Sequence, residues 1–453
     1  MLRFNFKFFA LALLTLMVLI SCKQEARQPK NIIVFIADGC GFNQVAAGEY
    51  YQFGEKGKAV YQSFPIKFAI STFPVDGLYE PQKAWKSFAY VLQKPTDSAA
   101  SATALATGVK TKNGILGMDS TFTPLQNIVE VVEQAGKATG VVTTVPFNHA
   151  TPAGFVAHNE SRKNYHQIAR EMIFKSTIDL IMGAGHPEYD DNAQKLQEPV
   201  FKFISDSAFQ ELKQGKIGND ADGDGAVEYW TFIEDSADFA GLVSGQTPER
   251  VFGLAKVIST LQFNRAGDKS ADAFTVPFNK GLPDLRTMTQ AAINVLDDDP
   301  DGFFLMVEGG AIDWAGHANA PGRLIEEKLD FDKAVQAAIE WVEKNSNWDE
   351  TLIIVTGDHE TGYLTGPGAK TEYDGSTAFS VEEVWPALKN NGKGKMPDME
   401  FHSHGHTNSL IPFFAKGQGS GLFEGEVDGT DPVRGKFIDN SDVGKVLKSF
   451  FNK

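Results

Sequence analysis

Continuous apolar runs, rather than alternating ones, mark the predicted strands of this chain. The first run, IIVFIA, covers residues 32–37 and stops at Asp38. An apolar run without alternation is typical of a central parallel strand that is buried on both faces. Similar runs that close on polar residues or glycines lie in segments 140–152, 178–185, 302–317, 351–360 and 410–417.

Helical patterns separate these runs. They cover residues 124–136, 284–298 and 323–345, and a last helix is expected to begin near Asn440. Strands that alternate with helices predict an α/β fold, with a mainly parallel central sheet and helices on both faces.

Two polar stretches interrupt this alternation, at about residues 187–283 and 366–400. Neither has the apolar periodicity of the rest of the chain. We interpret both as insertions that decorate one catalytic domain spanning residues 31–453, rather than as separate domains.

The start of the chain has the pattern of an export signal. A basic beginning precedes an apolar run over residues 8–20, which is short for a membrane span and typical of a signal peptide. The run ends LISC, where Cys22 resembles the lipidated first residue of a bacterial lipoprotein; the alternative is an ordinary signal peptide with an incidental cysteine. We expect removal of residues 1–21, a lipidated tether over residues 22–30, and a location in the periplasm or at the outer membrane.

Charge and cysteine content narrow the classes of partner. The 453 residues carry a formal net charge of −16, which argues against nucleic acid as a partner because a phosphate backbone requires a basic face. Bound metal ions would supply the local positive charge that an anion site needs. Once the signal is removed and Cys22 is lipidated, Cys40 is the one cysteine left, so we expect no intrachain disulfide.

Acidic and imidazole side chains follow several of the predicted strands. The carboxyl ends of parallel strands meet at one edge of the sheet, where such groups collect. We therefore expect one shared site that holds several metal ions. Its candidate ligands at these strand ends are Asp38, Thr151, Glu308, Asp358 and His359.

A second group of ligands is predicted from spacing. Asp313 and His317 are four residues apart, which places both side chains on one face of a helical turn. His406 closes the segment HSHGH. Carboxylate and imidazole together suit zinc, whereas the oxygens of Thr151 and Glu308, with a carboxylate shared from Asp38, suit magnesium. The alternative for each residue alone is structural: an Asp that caps a helix, or a histidine in the core.

A calcium loop is a further hypothesis within the first insertion. Asp220, Asp222 and Asp224, followed by Gly225, match the opening of such a loop. The twelfth position is Thr231, where the loop needs a bidentate Glu. A solvated acidic turn is the alternative.

Six segments in chain order together resemble bacterial alkaline phosphatase. They are VFIADGCG, TDSAASATALATGVKTKNGILGMD, HATPAGFVAHNESR, EGGAIDWAGHAN, VTGDHETG and GHTNSLIPFFAKG, spanning residues 31 to about 450. The resemblance implies two zinc ions and one magnesium ion. The implied ligands are Asp313, His317 and His406 for the first zinc, Asp38, Asp358 and His359 for the second, and Asp38, Thr151 and Glu308 for magnesium.

The resemblance also implies the reaction. Ser98, directly after Asp97 at a helix start, would be the nucleophile, and Arg162 would clamp the phosphate. The expected activity is hydrolysis of a broad range of phosphate monoesters through a phosphoserine intermediate. Homodimers are common among relatives, so a homodimer is possible for this chain as well.

Two positions depart from some members of that family. Some relatives have Asp where this chain has His149, and Lys where it has Trp314. His149 would ligate the third metal or lie beside it. Trp314 offers no cationic head to phosphate. The two differences leave the identity of the third metal open.

Two alternative functions remain at this point. A phosphodiesterase of the same superfamily would be expected to lack the Thr151 and Glu308 pair, and a sulfatase would need a C/S-x-P-x-R motif, which does not occur around Ser98. The alternative from another class is a non-catalytic surface lipoprotein that binds metal or phosphate. That alternative gives no reason for Ser98 to follow Asp97 at a helix start.

Overall fold

The computed structural model describes residues 28–221, 225–371 and 380–451. Its centre is an eleven-stranded sheet. In chain order the strands are β1 Asn31–Ala37, β2 Ile66–Ser71, β3 Ala138–Pro146, β4 Leu180–Ala184, β5 Thr231–Ile233, β6 Val251–Leu254, β7 Phe303–Gly309, β8 Thr351–Gly357, β9 Ile411–Gly417, β10 Gly429–Asp431 and β11 Gly435–Asp439.

The sheet is mixed and mostly parallel, which confirms the predicted α/β fold. The spatial order is β10-β11-β2-β9-β8-β1-β7-β3-β4-β6-β5. All pairs from β8 to β5 are parallel, whereas β9 is antiparallel to both of its neighbours. The six predicted runs correspond to β1, β3, β4, β7, β8 and β9, of which β1 and β3 begin one and two residues before the predicted runs.

The helices lie between the strands, as predicted. The predicted 124–136 helix is shorter than expected, at Ile128–Glu133, because Asn127 and Glu130 form a capping box that sets its first turn. The α-helices of the described residues are Phe42–Phe53, Pro81–Ala84, Phe88–Val91, Ser98–Thr107, Ile128–Glu133, Ala150–Val156, Tyr165–Phe174, Asp206–Lys213, Ser236–Gly241, Leu285–Leu296, Ala311–His317, Pro321–Asn345, Val381–Val384 and Asn440–Ser449. Short 3₁₀ helices cover Val60–Ser63 and Ser420–Glu426.

Two hydrophobic cores cover the two faces of the sheet. Along β1 the side chains alternate between them, with Ile32, Val34 and Ile36 in one core and Ile33 and Phe35 in the other. This explains why the run shows no polar alternation: both faces are buried.

Short ladders beside the main sheet complete the strand content of the described residues. Glu360–Thr361 pairs with His406–Thr407, which brings the segment after β8 against the segment before β9. The other two ladders join Leu364–Thr365 to Glu400–Phe401 and Gly218–Asn219 to Glu228–Tyr229.

The stretch predicted as a first insertion contributes β5 and β6 to one edge of the sheet. Its predicted bounds, and those of the second insertion, stay predictions. The signal peptide, Cys22 and the calcium candidates Asp222 and Asp224 lie outside the described residues. Among the residues described, no helix has both the length and the apolar character that a membrane crossing requires.

The register of the central strands fixes where the candidate ligands lie. Ala37 at the end of β1 pairs with Gly357 of β8 and with Gly309 of β7. Asp38 and Asp358 are the next residues after these strands, and Glu308 is the penultimate residue of β7. The parallel pairing therefore brings the three carboxylates to one edge.

Candidate active site

Ser98 opens a wholly buried helix at this edge. Asp97 caps the helix, since its Oδ1 accepts from the backbone N–H of Ala100 at 2.9 Å. Ser98 is 1% exposed, and its Oγ lies 3.3 Å from Nε2 of His359. The hydroxyl is thus presented at a helix N-terminus, where negative charge is favoured.

The neighbouring hydroxyls of the same helix face other partners. Ser101 donates to the carbonyl of Asp358 at 2.7 Å, and Thr103 donates to the carbonyl of Ile115 at 3.2 Å. Both of these hydroxyls are hydrogen-bonded to backbone carbonyls. Ser98 is therefore the hydroxyl of this turn that meets the candidate ligands.

Asp38, Asp358 and His359, the ligands predicted for the second zinc, form one group. Nε2 of His359 lies 3.4 Å from Oδ1 of Asp38 and 3.3 Å from Oδ2 of Asp358. All three side chains are fully buried. Their ligand atoms lie close enough to bind one ion. The turn that follows Asp38 requires Gly39, whose φ is +70° and where a Cβ would lie 2.6 Å from Cα of Asp313.

Asp313, His317 and His406 converge beside it. Oδ2 of Asp313 lies 3.4 Å from Nε2 of His317, and its Oδ1 lies 3.5 Å from Nε2 of His406. The two imidazole Nε2 atoms are 3.0 Å apart. In this part of the site the side chains whose ligand atoms lie close enough to bind one ion are those of Asp313, His359 and His406, so His359 lies between the two groups.

Thr151 and Glu308, the predicted magnesium ligands, are fully buried. Thr151 lies in the helix Ala150–Val156 that follows β3. Thr143 of β3, which pairs with Glu308 in register, donates its hydroxyl to one Glu308 carboxylate oxygen. Residue patterns could not indicate a role for Thr143, because it lies inside a buried apolar strand.

Several oxygens of the cluster lack a donor. Among the residues that the structure describes, both carboxylate oxygens of Asp38, Oδ2 of Asp358, Oε1 of Glu308 and Oγ1 of Thr151 are buried without a hydrogen-bond partner. An unpaired buried carboxylate is costly, by at least a few kcal/mol. A cluster of this kind is suited to metal cations, which would take these lone pairs.

Burial and mutual repulsion shape the acidity of the cluster. Burial, followed by the charges of Asp358 and Asp313, raises the pKa of Asp38 well above its usual range. Burial raises the pKa of Asp358 and of Glu308 to about 7. The pKa of His359 falls well below its usual value because burial disfavours its cation. Bound cations would instead lower the pKa values of these carboxyl groups.

Arg162 lies at the mouth of the cluster. Its Nη1 donates to Oδ2 of Asp97 at 3.0 Å, so the residue that caps the Ser98 helix also holds the guanidinium. Nη2 lies 3.5 Å from Nε2 of His149. The Trp314 ring, half-buried, lies edge-on to the His149 ring at 5.7 Å between centroids. The two positions at which some relatives differ are therefore neighbours, and His149 lies beside Arg162, the predicted phosphate clamp.

Backbone carbonyls orient two of the imidazoles, which residue patterns could not indicate. Nδ1 of His406 lies 2.8 Å from the carbonyl of Thr96, and Nδ1 of His317 lies 2.5 Å from the carbonyl of His404. Each contact leaves Nε2 facing Asp313, as is usual for metal-binding histidines.

Four further histidines have partners of their own. Those partners are Glu171 for His158, the Phe201 carbonyl for His166, Glu234 for His186 and the Thr365 hydroxyl for His402.

The chain belongs to the alkaline phosphatase family, whose model matches residues 29–393. It is an enzyme of that family. It is 30% identical to alkaline phosphatase 3 of Bacillus subtilis over 90% of this chain and 88% of the relative. It is 31% identical to alkaline phosphatase of Escherichia coli over 89% of this chain and 84% of that one.

A solved structure has the same fold. It is a variant of alkaline phosphatase from the Antarctic bacterium TAB5 with magnesium bound in its M3 site. The alignment has a TM-score of 0.63 and 26% identity, and covers 95% of this chain and 100% of that one.

Proposed function

We propose that the enzyme hydrolyses phosphate monoesters through a phosphoserine at Ser98, with two zinc ions and one magnesium ion as cofactors. One observation carries the proposal: the Ser98 hydroxyl lies at a helix N-terminus against His359, beside buried carboxylates that lack donors. Family membership supports an enzyme over a non-catalytic binding protein.

The donor sets fit these ions. Nitrogen and carboxylate oxygen, as in Asp313, His317 and His406, suit zinc, and so does the group formed by Asp38, Asp358 and His359. Oxygens alone suit magnesium, and Asp38, Thr151 and Glu308 would supply them. A TAB5 variant in which aspartate replaces a histidine holds magnesium in its M3 site, which supports magnesium as the third ion.

The metal ions, when bound, would lower the pKa of the Ser98 hydroxyl and stabilise negative charge on the departing ester oxygen. The Ser98 hydroxyl gives up its proton as Oγ attacks phosphorus, a new P–O bond forms, and the bond from phosphorus to the ester oxygen breaks. The leaving alcohol takes up a proton. In the second displacement water attacks phosphorus, the serine P–O bond breaks, and phosphate leaves with the Ser98 hydroxyl restored.

Arg162 holds the phosphoryl group during both displacements. Its planar guanidinium can donate to two phosphate oxygens in parallel, which an ammonium group does less well. Asp97 keeps it in place through the 3.0 Å ion pair. Recognition through the phosphoryl group alone would make the enzyme tolerant of many leaving alcohols.

The proposals for cellular location and oligomeric state are based on the sequence. The apolar run of residues 8–20 and the LISC sequence support export and a lipid on Cys22 at the membrane. The mass of the mature N-terminal peptide would test the lipid. A homodimer, and calcium at Asp220 with Asp222 and Asp224, also stay predictions.

Phosphate release from 4-nitrophenyl phosphate tests the activity. Purified enzyme is expected to hydrolyse this monoester, to lose activity on thorough chelation, and to recover it with zinc and magnesium. Faster hydrolysis of bis(4-nitrophenyl) phosphate would favour the phosphodiesterase instead. Activity that survives complete zinc removal would contradict the metal dependence.

A further inference from the structure

Thr361 lies where the ligand-bearing segments meet. It is fully buried. Its backbone N–H donates to the carbonyl of Gly39, in the turn after Asp38, at 3.1 Å. It pairs with His406 in the two-stranded ladder. Thr361 therefore contacts two of the segments through its backbone alone.

The third segment is the helix Ala311–His317. That helix packs against Thr361 at Gly316, where a Cβ would lie 3.1 Å from both Cβ and Cγ2 of Thr361. The absence of a side chain at Gly316 brings the helix close enough for Asp313 to reach the Thr361 hydroxyl.

The hydroxyl has two polar neighbours. Oγ1 of Thr361 lies 2.5 Å from Oδ1 of Asp313 and 3.3 Å from Nδ1 of His359. A hydroxyl carries one proton, and a carboxylate only accepts. Thr361 therefore donates to Asp313 and accepts from His359, which requires the proton of the imidazole on Nδ1.

This arrangement determines which imidazole nitrogen is free. With the proton on Nδ1, the lone pair of His359 lies on Nε2, the atom that faces Ser98, Asp38 and Asp358. The same Thr361 hydroxyl donates to Oδ1 of Asp313 and so orients the carboxylate of Asp313, which belongs to the other ligand group. One hydroxyl thus orients a ligand in each group.

We propose that Thr361 is a positioning residue that couples the two candidate zinc positions, by fixing the tautomer of His359 and the orientation of Asp313 through one hydroxyl. The inference rests on the proposed zinc sites. Partners of this kind outside the ligand set typically change metal affinity 10- to 100-fold when removed.

Substitution by a residue of nearly the same shape isolates the hydroxyl. Thr361→Val keeps the branched side chain against Gly316 and removes the bridge, whereas Thr361→Ser keeps the bridge and removes the methyl group. Thr289→Val is the matched control, because Thr289 is a buried hydroxyl that donates to the carbonyl of Leu285 within its own helix.

The test measures zinc affinity at both positions by competition with a chromophoric chelator. Absorption spectra of the Co²⁺-loaded proteins report ligand geometry, and melting of the metal-free proteins reports folding. We expect Thr361→Val to weaken both positions about 10- to 100-fold and to change the Co²⁺ spectrum. Thr361→Ser should stay within a few-fold of wild type, and Thr289→Val should bind as wild type does.

Each contrary result has a distinct meaning. Wild-type affinity at both positions in Thr361→Val overturns the inference, and so does an equal loss in Thr361→Ser, which would assign the effect to the methyl group. A loss confined to one position contradicts the coupling. If the wild-type protein itself binds no zinc, the proposed function fails first, and the variants are not needed to show it.

Discussion

Two fully buried carboxylates near the active-site edge have opposite surroundings. Glu360, the residue after His359, has donors for both of its oxygens, whereas both oxygens of Asp38 lack a donor among the described residues. The donors to Glu360 are Gln44 Nε2 at 2.6 Å, the Thr407 hydroxyl at 2.6 Å, and the backbone N–H groups of Leu364 at 3.1 Å and Tyr363 at 3.3 Å.

The contrast separates a structural acid from a ligand. Donors within the protein satisfy both carboxylate oxygens of Glu360. These hydrogen bonds hold the Glu360–Thr361 strand in place. The protein provides no such donors for Asp38, so its burial is favourable only with a partner from outside the chain. Burial is equal in the two cases, and hydrogen bonding is what differs.

The largest expected effect comes from Asp38→Asn. The variant removes a ligand that two candidate metal positions share, so kcat should fall on the order of 10³-fold or more and bound metal should fall below wild type. The metal-free variant should melt at or above the temperature of the metal-free wild type, because a neutral amide replaces a buried carboxyl whose ionised form is unfavourable. Atomic absorption and calorimetry would measure both. A metal-free Asp38→Asn that is clearly less stable would contradict the assignment of Asp38 as a ligand.

Glu360→Gln is the matched opposite. The new amide would face donors, and the mismatch should lower the free energy of unfolding by about 1–3 kcal/mol. Metal stoichiometry should remain that of wild type in the folded variant. Denaturant unfolding with metal analysis checks this. Loss of metal without loss of stability would reverse the roles of the two acids.

The pH dependence of stability provides a third comparison. In the metal-free protein the pKa values of Asp358 and Glu308 are about 7, above their ordinary values near 4 in the unfolded chain. The folded state then holds more protons, so stability falls as the pH rises from about 4 to about 7.

The metal-loaded protein should lack this loss, because the ions stabilise the ionised carboxylates. Melting temperatures across this pH range, with and without chelator, measure the difference. Parallel curves for the two forms would show that the carboxylates do not respond to metal.

The smallest expected effect belongs to His149→Asp with Trp314→Lys. A carboxylate at position 149 would lie near Arg162, since Nε2 of His149 is 3.5 Å from Nη2. A Lys at position 314 would add a cation beside the phosphate clamp. We expect changes of several-fold in the magnesium concentration needed for activity and in inhibition by phosphate, with monoester preference unchanged. Unaltered magnesium and phosphate dependence would remove this interpretation.

Much of the fold could be predicted because buried parallel strands have long apolar runs. The run of β1 and its terminal Asp38 are examples, and the ends of β7 and β8 follow the same rule. The strands that were missed are short or lie toward the edges: β5 and β10 have three residues each. A three-residue strand shows too little periodicity to predict.

Only some of the residues of the candidate site could be predicted from the sequence. Candidate ligands such as His359 could be found because their side chains carry the chemistry and follow strand ends. Residue patterns could not indicate the roles of Thr361 and Thr143, or of the carbonyls of Thr96 and His404. Their contacts arise from tertiary packing. In the structure Ser98 lies against His359, whereas Ser101 and Thr103 of the same helix donate to backbone carbonyls.

The central claim is a phosphoserine on Ser98 in a metal-loaded site. Its most direct measurement is acid quenching of the enzyme during turnover of a phosphate monoester, followed by peptide mass spectrometry and metal analysis of the same sample. We expect a phosphate on Ser98, two zinc ions and one magnesium ion per chain, and no phosphopeptide from Ser98→Ala or chelated enzyme. An unmodified Ser98 in an actively turning-over enzyme that accumulates phosphate on another residue would contradict it.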